Sequence, residues 1–318
     1  MEYRHLGSSG LEVSALGLGV NNFGRRMADP ERAKQIVRAC VDAGVNFFDT
    51  SDDYGGEHAS ERFLGEAIKG MRDQVLIATK IGNPMGTGPN RQGASRHWIM
   101  QGIDASLQAL GTDYVDLYQI HHPDAGTPLE ETLRALDDLV RAGKVRYVGC
   151  SNYSAWETCE AMWITKTQHL SSFVSTQPRY NMLDREIERE LVPFCDRYGV
   201  GVLPYYPLAG GFLTGKYRRG QPPPEGARLS YHAWQGDLWL TEKNYDMLEA
   251  LERFAESRGR KMVELAFAWV LANPQVSSVI AGATNPEQVV NNVQAAEWSL
   301  SAEEKAEVDA ILDGGMTG

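Results

Sequence analysis

Four residues of this 318-residue chain have the types and spacing for proton transfer: Asp49, Tyr54, Lys80 and His121. Asp49, Lys80 and His121 each end a short apolar run that reads as a strand. Tyr54 follows five residues after Asp49, in the loop Thr50-Ser51-Asp52-Asp53-Tyr54-Gly55-Gly56. If those strands run parallel, all four side chains meet at one mouth. A free Tyr has a pKa of about 10 and is a poor acid at neutral pH. A nearby ammonium stabilises tyrosinate and lowers that value. Asp49 would hold Lys80 in place, and His121 would hydrogen-bond a substrate oxygen. Tyr54 would then act as general acid toward a developing alkoxide. Each residue also has a plain structural use: loop cap, snorkelling cation, turn packing, satisfied core histidine. The pattern alone leaves the two open.

The elements that must position these residues are punctuated regularly. Asp29-Pro30-Glu31, Thr127-Pro128 and Asn285-Pro286-Glu287 are helix starts, each with a cap and a proline. Gly44, Gly111, Gly143, Gly199 and Gly259 stand where helices should stop. Continuous apolar runs such as Val45–Asp49, Val145–Gly149 and Val200–Leu203 read as doubly covered parallel strands. Strands are expected near 16–19, 45–49, 75–80, 114–121, 145–149, 173–177, 200–204 and 277–281. Helices are expected near 30–43, 60–70, 95–110, 128–142, 154–168, 185–198, 261–272 and 286–296. Eight strand–helix alternations predict a (β/α)8 TIM barrel over a doubly wound sheet, and no GxGxxG follows the first strand. Residues 3–14 read as a hairpin plugging the barrel floor, and 301–312 as an extra C-terminal helix. The irregular stretch 205–241 follows the seventh strand, on the face where barrel enzymes keep their chemistry.

Length alone suggests two domains at about 150 residues each, but the barrel count makes 1–318 a single domain. Hydrophobic residues make up 42% of the chain and charged residues 23%, enough for a large core. The 31 basic and 42 acidic residues leave a net charge of −11. That argues against nucleic acid or an anionic membrane as partner. No run approaches the roughly 18 apolar residues of a membrane helix. The four cysteines, Cys40, Cys150, Cys159 and Cys195, are scattered and read as reduced, which makes the cytoplasm the expected compartment. The seven histidines show no HExxH or Cys/His ligand spacing, so no metal is expected.

Phe47-Phe48-Asp49-Thr50 with Tyr54-Gly55, then Ile77-Ala78-Thr79-Lys80, then Asp113 to Asp124 around His121-His122-Pro123, resemble the aldo-keto reductase superfamily. The resemblance continues through Gly143 to Asn152, Gly211 to Tyr217 and Ile280 to Gln288, over nearly the whole chain. It implies a catalytic tetrad of Asp49, Tyr54, Lys80 and His121. It implies reduction of an aldehyde or ketone by hydride from NADPH, with Tyr54 as proton donor. Strand alternation puts His121 and His122 on opposite faces, so only His121 is expected at the reaction centre.

The same resemblance implies the cofactor residues. Gly19, Val20 and Asn21 lie in the first loop. Asp49, Ser151, Asn152 and Gln177 lie toward the nicotinamide, on which Tyr205 stacks. Tyr206, where the family often has Ser, leads into Pro207 and Leu208. Gly211, Leu213, Gly215 and Lys216 cover the pyrophosphate. Ala281, Gly282, Ala283, Thr284, Gln288, Asn291 and Asn292 take the adenosine end. That last segment has no cation for a 2′-phosphate, which predicts weak selectivity and possible NADH use. Asn22, Phe23, Tyr54, His121 and His122 would line the substrate side, with Trp234 and Trp239 closing over it. Two other functions stay open: a coenzyme-binding regulatory subunit related to channel β-subunits, and a lyase using Lys80 as a Schiff-base amine. A small-molecule carbonyl substrate is expected; oligomeric state is not read.

Overall fold

The computed structural model describes residues 1–314; the last four positions of the expected unit 1–318 lie outside the described residues. The chain opens with strands β1 (Tyr3–His5) and β2 (Glu12–Ser14), an antiparallel pair with Arg4 opposite Val13. There follow β3 (Leu16–Gly19), α1 (Pro30–Asp42), β4 (Phe47–Asp49), α2 (Ala59–Ala67), β5 (Leu76–Ile81) and α3 (Arg96–Leu110). The middle is β6 (Val115–Ile120), α4 (Leu129–Arg141), β7 (Val145–Ser151), α5 (Ala155–Gln168) and β8 (Phe173–Gln177). The rest is α6 (Leu191–Tyr198), β9 (Gly201–Val202), α7 (Ala233–Trp239), α8 (Glu242–Ser257), α9 (Met262–Leu271), β10 (Val279–Gly282), α10 (Pro286–Ala295) and α11 (Ala302–Leu312).

Eight strands form one parallel sheet in the order β10-β3-β4-β5-β6-β7-β8-β9. The sheet curls until its two edges meet. Val202 N donates to Gln275 O at 2.8 Å, Ser277 N to Val202 O at 2.9 Å, and Ile280 N to Pro204 O at 3.0 Å. These bonds close the wall where no long ladder exists, completing a (β/α)8 barrel.

The helices form for local reasons legible in the chain. Asp29 accepts from Glu31 N and Pro30 opens α1, whose Ala33, Ile36, Val37 and Cys40 face inward at 3.6-residue spacing. Ser154 with Glu157 and Ser301 with Glu304 build reciprocal capping boxes on α5 and α11. Inside the barrel the two-residue alternation of strands sorts the side chains into layers. Leu6 and Val13 from the hairpin plug the lower layer with Phe47, Ala78, Leu117 and Leu203. One alternation step further up the same strands stand Asp49, Lys80 and Gln119. The apolar plug therefore ends where the polar layer begins.

Two boundaries differ most from the expectation, and one helix was not expected. The helix read at 185–198 is a 3-10 turn at Glu186–Glu188 followed by α6, because Pro193 is tolerated only in a first helical turn. The strand read at 200–204 shortens to Gly201–Val202, since Pro204 has no N–H to give to a ladder. The amphipathic helix α8 was not among those read, although Thr241 caps it and Tyr245, Leu248, Leu251 and Phe254 bury one face. The stretch 205–241 itself holds 3-10 turns at Ala209–Thr214 and Arg228–Ser230 and the short α7.

Candidate active site

The C-terminal ends of the barrel strands surround a cleft of about 650 Å³, within the size range of small-molecule sites. At its floor, Lys80 Nζ donates to Asp49 Oδ1 at 2.8 Å, to Asp49 Oδ2 at 2.7 Å and to Thr50 O at 2.8 Å. The Tyr54 hydroxyl lies 3.4 Å from the same nitrogen. Lys80 is 0% exposed, so its charge is tolerable only because Asp49 pairs with it. Gln177 Nε2 also donates to Asp49 Oδ1, at 2.9 Å, and Gln119 Nε2 reaches the same oxygen at 3.5 Å. Gln119 was missed in the sequence. Its signal was its place two residues after Leu117 on the inward side of β6.

The expected effect on Tyr54 is reversed. Its pKa is pushed well above the ordinary 10, first by burial and then by the Asp49 and Asp53 carboxylates. The Lys80 ammonium is already committed to Asp49 and does not outweigh burial. Tyr54 is therefore a firmly protonated phenol in the free chain. His121 is held neutral, its pKa pushed down to about 2 by burial, then by the Lys80 charge and by His122. Tyr54 and His121 meet edge to face at 5.7 Å between ring centres.

His121 and His122 do not face opposite ways. Both line the cleft, with rings stacked at 5.1 Å and 3°. The strand ends at Ile120, so its alternation no longer governs the two histidines.

Most residues expected at the cofactor line this cleft, from Gly19 and Asn21 through Ser151, Asn152 and Gln177, and Asn22 from the expected substrate side joins them. Tyr205, Tyr206, Pro207, Leu208, Gly211 and Lys216 join them, as do Ala281, Gly282, Thr284, Gln288 and Asn292. Asn152 Nδ2 donates to His121 O at 2.9 Å and Tyr205 Oη donates to Asn152 Oδ1 at 2.7 Å, which ties β7 to the β9 loop. Asn152 and Tyr206 hold positive φ values of 61° and 54°, a local strain of order 1–3 kcal/mol each that clusters at the cleft. Gly210 and Gly211 take φ of 65° and 93°, and a Cβ on Gly211 would approach Lys216 Nζ to 3.0 Å.

Besides Lys80 beneath the floor and Trp239, six expected residues do not line it. Val20, Phe23, Leu213 and Ala283 are buried in the core, where their apolar side chains pack. Gly215 turns away against Glu252, and Asn291 is on the solvent side of α10. Trp234 lines the cleft, but Trp239 is buried behind it, stacked edge-on against Tyr206 and donating to Asp184 Oδ2 at 3.0 Å.

The cations of the cleft come from outside 282–288. Arg26, from the first loop, and Arg228, from the long loop, line the cleft with Lys216. None of the three has a carboxylate partner among the described residues. Arg26 stacks 3.1 Å over the Tyr231 ring and Arg228 lies 5.1 Å from the Tyr206 ring. Sequence spacing could not bring Arg26 and Arg228 together, because they lie on loops 200 residues apart. No group of three metal-ligating side chains occurs among the described residues, and no helix among them is long and apolar enough to cross a membrane.

The fold and the cleft define a barrel protein with a buried lysine–carboxylate pair beneath a tyrosine, at the mouth where such barrels react. The sequence profile of the Aldo/keto reductase family matches residues 15–313. The chain is 40% identical over 323 aligned positions to the "Putative voltage-gated potassium channel subunit beta" of Schizosaccharomyces pombe, covering 98% of this chain and 93% of that protein. It is 37% identical to the "L-glyceraldehyde 3-phosphate reductase" of Escherichia coli (strain K12), over 99% of this chain and 93% of that one. The "Uncharacterized oxidoreductase YrpG" of Bacillus subtilis is likewise 37% identical, over 95% and 93%. The chain belongs to the aldo/keto reductase family. That membership supports an oxidoreductase of carbonyl substrates.

Proposed function

We propose that the chain, as one unit over 1–318, reduces aldehydes or ketones to alcohols using NADPH. The observation that carries this reading is the Lys80–Asp49 pair set beneath the Tyr54 hydroxyl on the cleft floor. A nicotinamide coenzyme, when bound, supplies the hydride. Tyr54, protonated at any ordinary pH, gives its proton to the developing alkoxide, and the adjacent Lys80 ammonium stabilises the tyrosinate left behind. His121, neutral, orients the carbonyl oxygen. Burial excludes water and strengthens each of these electrostatic contacts.

The residues present suit the coenzyme. Ser151, Asn152 and Gln177 would hold the nicotinamide amide, and Tyr205 would stack on its ring. Lys216, Arg26 and Arg228 with nearby backbone amides would take the phosphates. Thr284, Gln288 and Asn292 would bind the adenosine end. With no cation from 282–288, preference for NADPH over NADH should stay under about 100-fold, roughly 2.7 kcal/mol.

The Schiff-base alternative fits poorly. All three Lys80 donors are engaged, and Asp49 keeps the amine charged and non-nucleophilic. A coenzyme-binding subunit without turnover is favoured by the names of several relatives, the S. pombe protein among them, and by no feature of the cleft. One experiment separates these. NADPH and NADH consumption is followed over aldehydes, ketones, dicarbonyls, keto-sugars and a phosphorylated aldehyde, for the chain and for Tyr54→Phe. Turnover that falls at least about 100-fold in Tyr54→Phe, with NADPH still bound, supports the reductase. Retained turnover in Tyr54→Phe sinks the proton-donor role. Binding without turnover by the unsubstituted chain favours the regulatory subunit.

A further inference from the structure

The two ring nitrogens of His121 have different surroundings. Nδ1 meets the protein, with Ser51 Oγ at 3.1 Å, Asn83 Nδ2 at 3.1 Å and Asp53 Oδ1 at 3.6 Å. Nε2 has no hydrogen-bond partner among the described residues. Which nitrogen carries the proton decides whether the ring offers the cleft a donor or an acceptor.

The donor count around Nδ1 settles it. Asn83 Nδ2 donates to Asp53 Oδ2 at 3.0 Å. A carboxylate only accepts, so the amide must turn its nitrogen to Asp53. That fixes the orientation of the amide, and the second hydrogen of the same NH2 group is the one facing His121 Nδ1. Ser51 has a single hydrogen, and of its two carboxylate acceptors Asp53 Oδ1 at 2.6 Å takes it over Asp52 Oδ1 at 3.2 Å. Ser51 therefore has none left for the imidazole. A proton on Nδ1 would face the Asn83 N–H across 3.1 Å, leaving the two hydrogens about 1 Å apart. The Asp53 carboxylate and the Ser51 oxygen pull the other way, since a negative charge or a lone pair near Nδ1 favours a proton there. Asp53 lies 3.6 Å off and is already accepting from Ser51 and Asn83, and the Ser51 oxygen can face a bare Nδ1 at 3.1 Å without overlap, whereas two hydrogens cannot share the gap to Asn83, so the steric exclusion wins.

We infer that Asn83, its amide oriented by Asp53, holds His121 in the Nε2–H tautomer, so that the ring presents a donor to a carbonyl oxygen in the cleft. The value of that donor rests on the reductase reading above. Asn83 and Asp53 are positioning residues: they act through His121.

The test reads the tautomer directly, by long-range proton–nitrogen NMR on the full chain with its histidines labelled. The unsubstituted chain should show Nε2 protonated and Nδ1 bare. Asn83→Asp replaces the donor by an acceptor of the same shape and should move the proton to Nδ1. Its kcat should fall about 100-fold, the scale of one lost transition-state donor, with KM little changed. Asn83→Leu, which adds no charge, should give a mixture of tautomers. Ser51→Ala should keep Nε2–H. A proton on Nδ1 in the unsubstituted chain overturns the inference, and so does Nε2–H persisting in both Asn83 variants. A tautomer that shifts as expected, in a chain that turns over no carbonyl, supports the lock and overturns the reductase reading instead.

Discussion

At the scale of single residues, Lys80 and Asp49 depend on each other more than on anything that enters the cleft. Lys80→Met leaves the Asp49 carboxylate buried and unpaired, a cost of about 3–5 kcal/mol. Asp49→Leu combined with Lys80→Met should recover much of it. Urea unfolding of the two single variants and the double variant gives the coupling; additive losses would refute it. His121 carries a different signature. Its pKa is about 6.5 in an unfolded chain but about 2 when folded. Its contribution is complete above 6.5 and is lost as pH falls toward 2, because there the unfolded chain binds a proton the folded one refuses. From pH 7.5 to 5, the chain should lose about 2 kcal/mol more stability than His121→Asn. Equal losses would show that His121 is not held neutral. Asp49, Tyr54, Lys80 and His121 could be picked out in the sequence because each ends a strand or follows one. Arg26, Arg228 and Asn83 could not, because loops give no period from which to place a side chain.

At the scale of elements, the sequence signals held where a cap, an apolar period and a terminal glycine agreed, as in α1 and α3. They failed where one residue overrode the rest: Pro193 delayed α6 and Pro204 cut β9 short. The hairpin shows what an element outside the barrel count contributes. Leu6 is fully buried in the lower barrel layer, on the far side of the polar layer from the cleft. Leu6→Ala should therefore cost about 2–5 kcal/mol of stability while kcat per folded molecule stays the same. A kcat that falls with the unfolding midpoint would mean that the plug also shapes the site. On the outer ring, Gly65 lets α2 press its backbone against the Leu110 carbonyl at the end of α3, a contact with no room for a Cβ.

At the scale of the whole molecule, an acidic chain carries a local cationic cleft, and its three cations come from two loops far apart in sequence. The charge count could exclude partners, but it could not show how those loops converge. The barrel wall has one seam, between β9 and β10, where a few hydrogen bonds replace a ladder. The cleft residues divide across it. Tyr205, Tyr206, Leu208 and Gly211 follow β9, while Ala281, Gly282, Thr284 and Gln288 follow or end β10. A dinucleotide lying along the cleft would grip both banks and act as a rivet across the weakest joint of the barrel. Saturating NADPH, at about 100 times its Kd, should add about 2.7 kcal/mol of stability. The amide protons of Val202, Ser277 and Ile280 should then exchange more slowly by a larger factor than those of β5 and β6. Uniform slowing would mean that the coenzyme stabilises the barrel without fastening its seam.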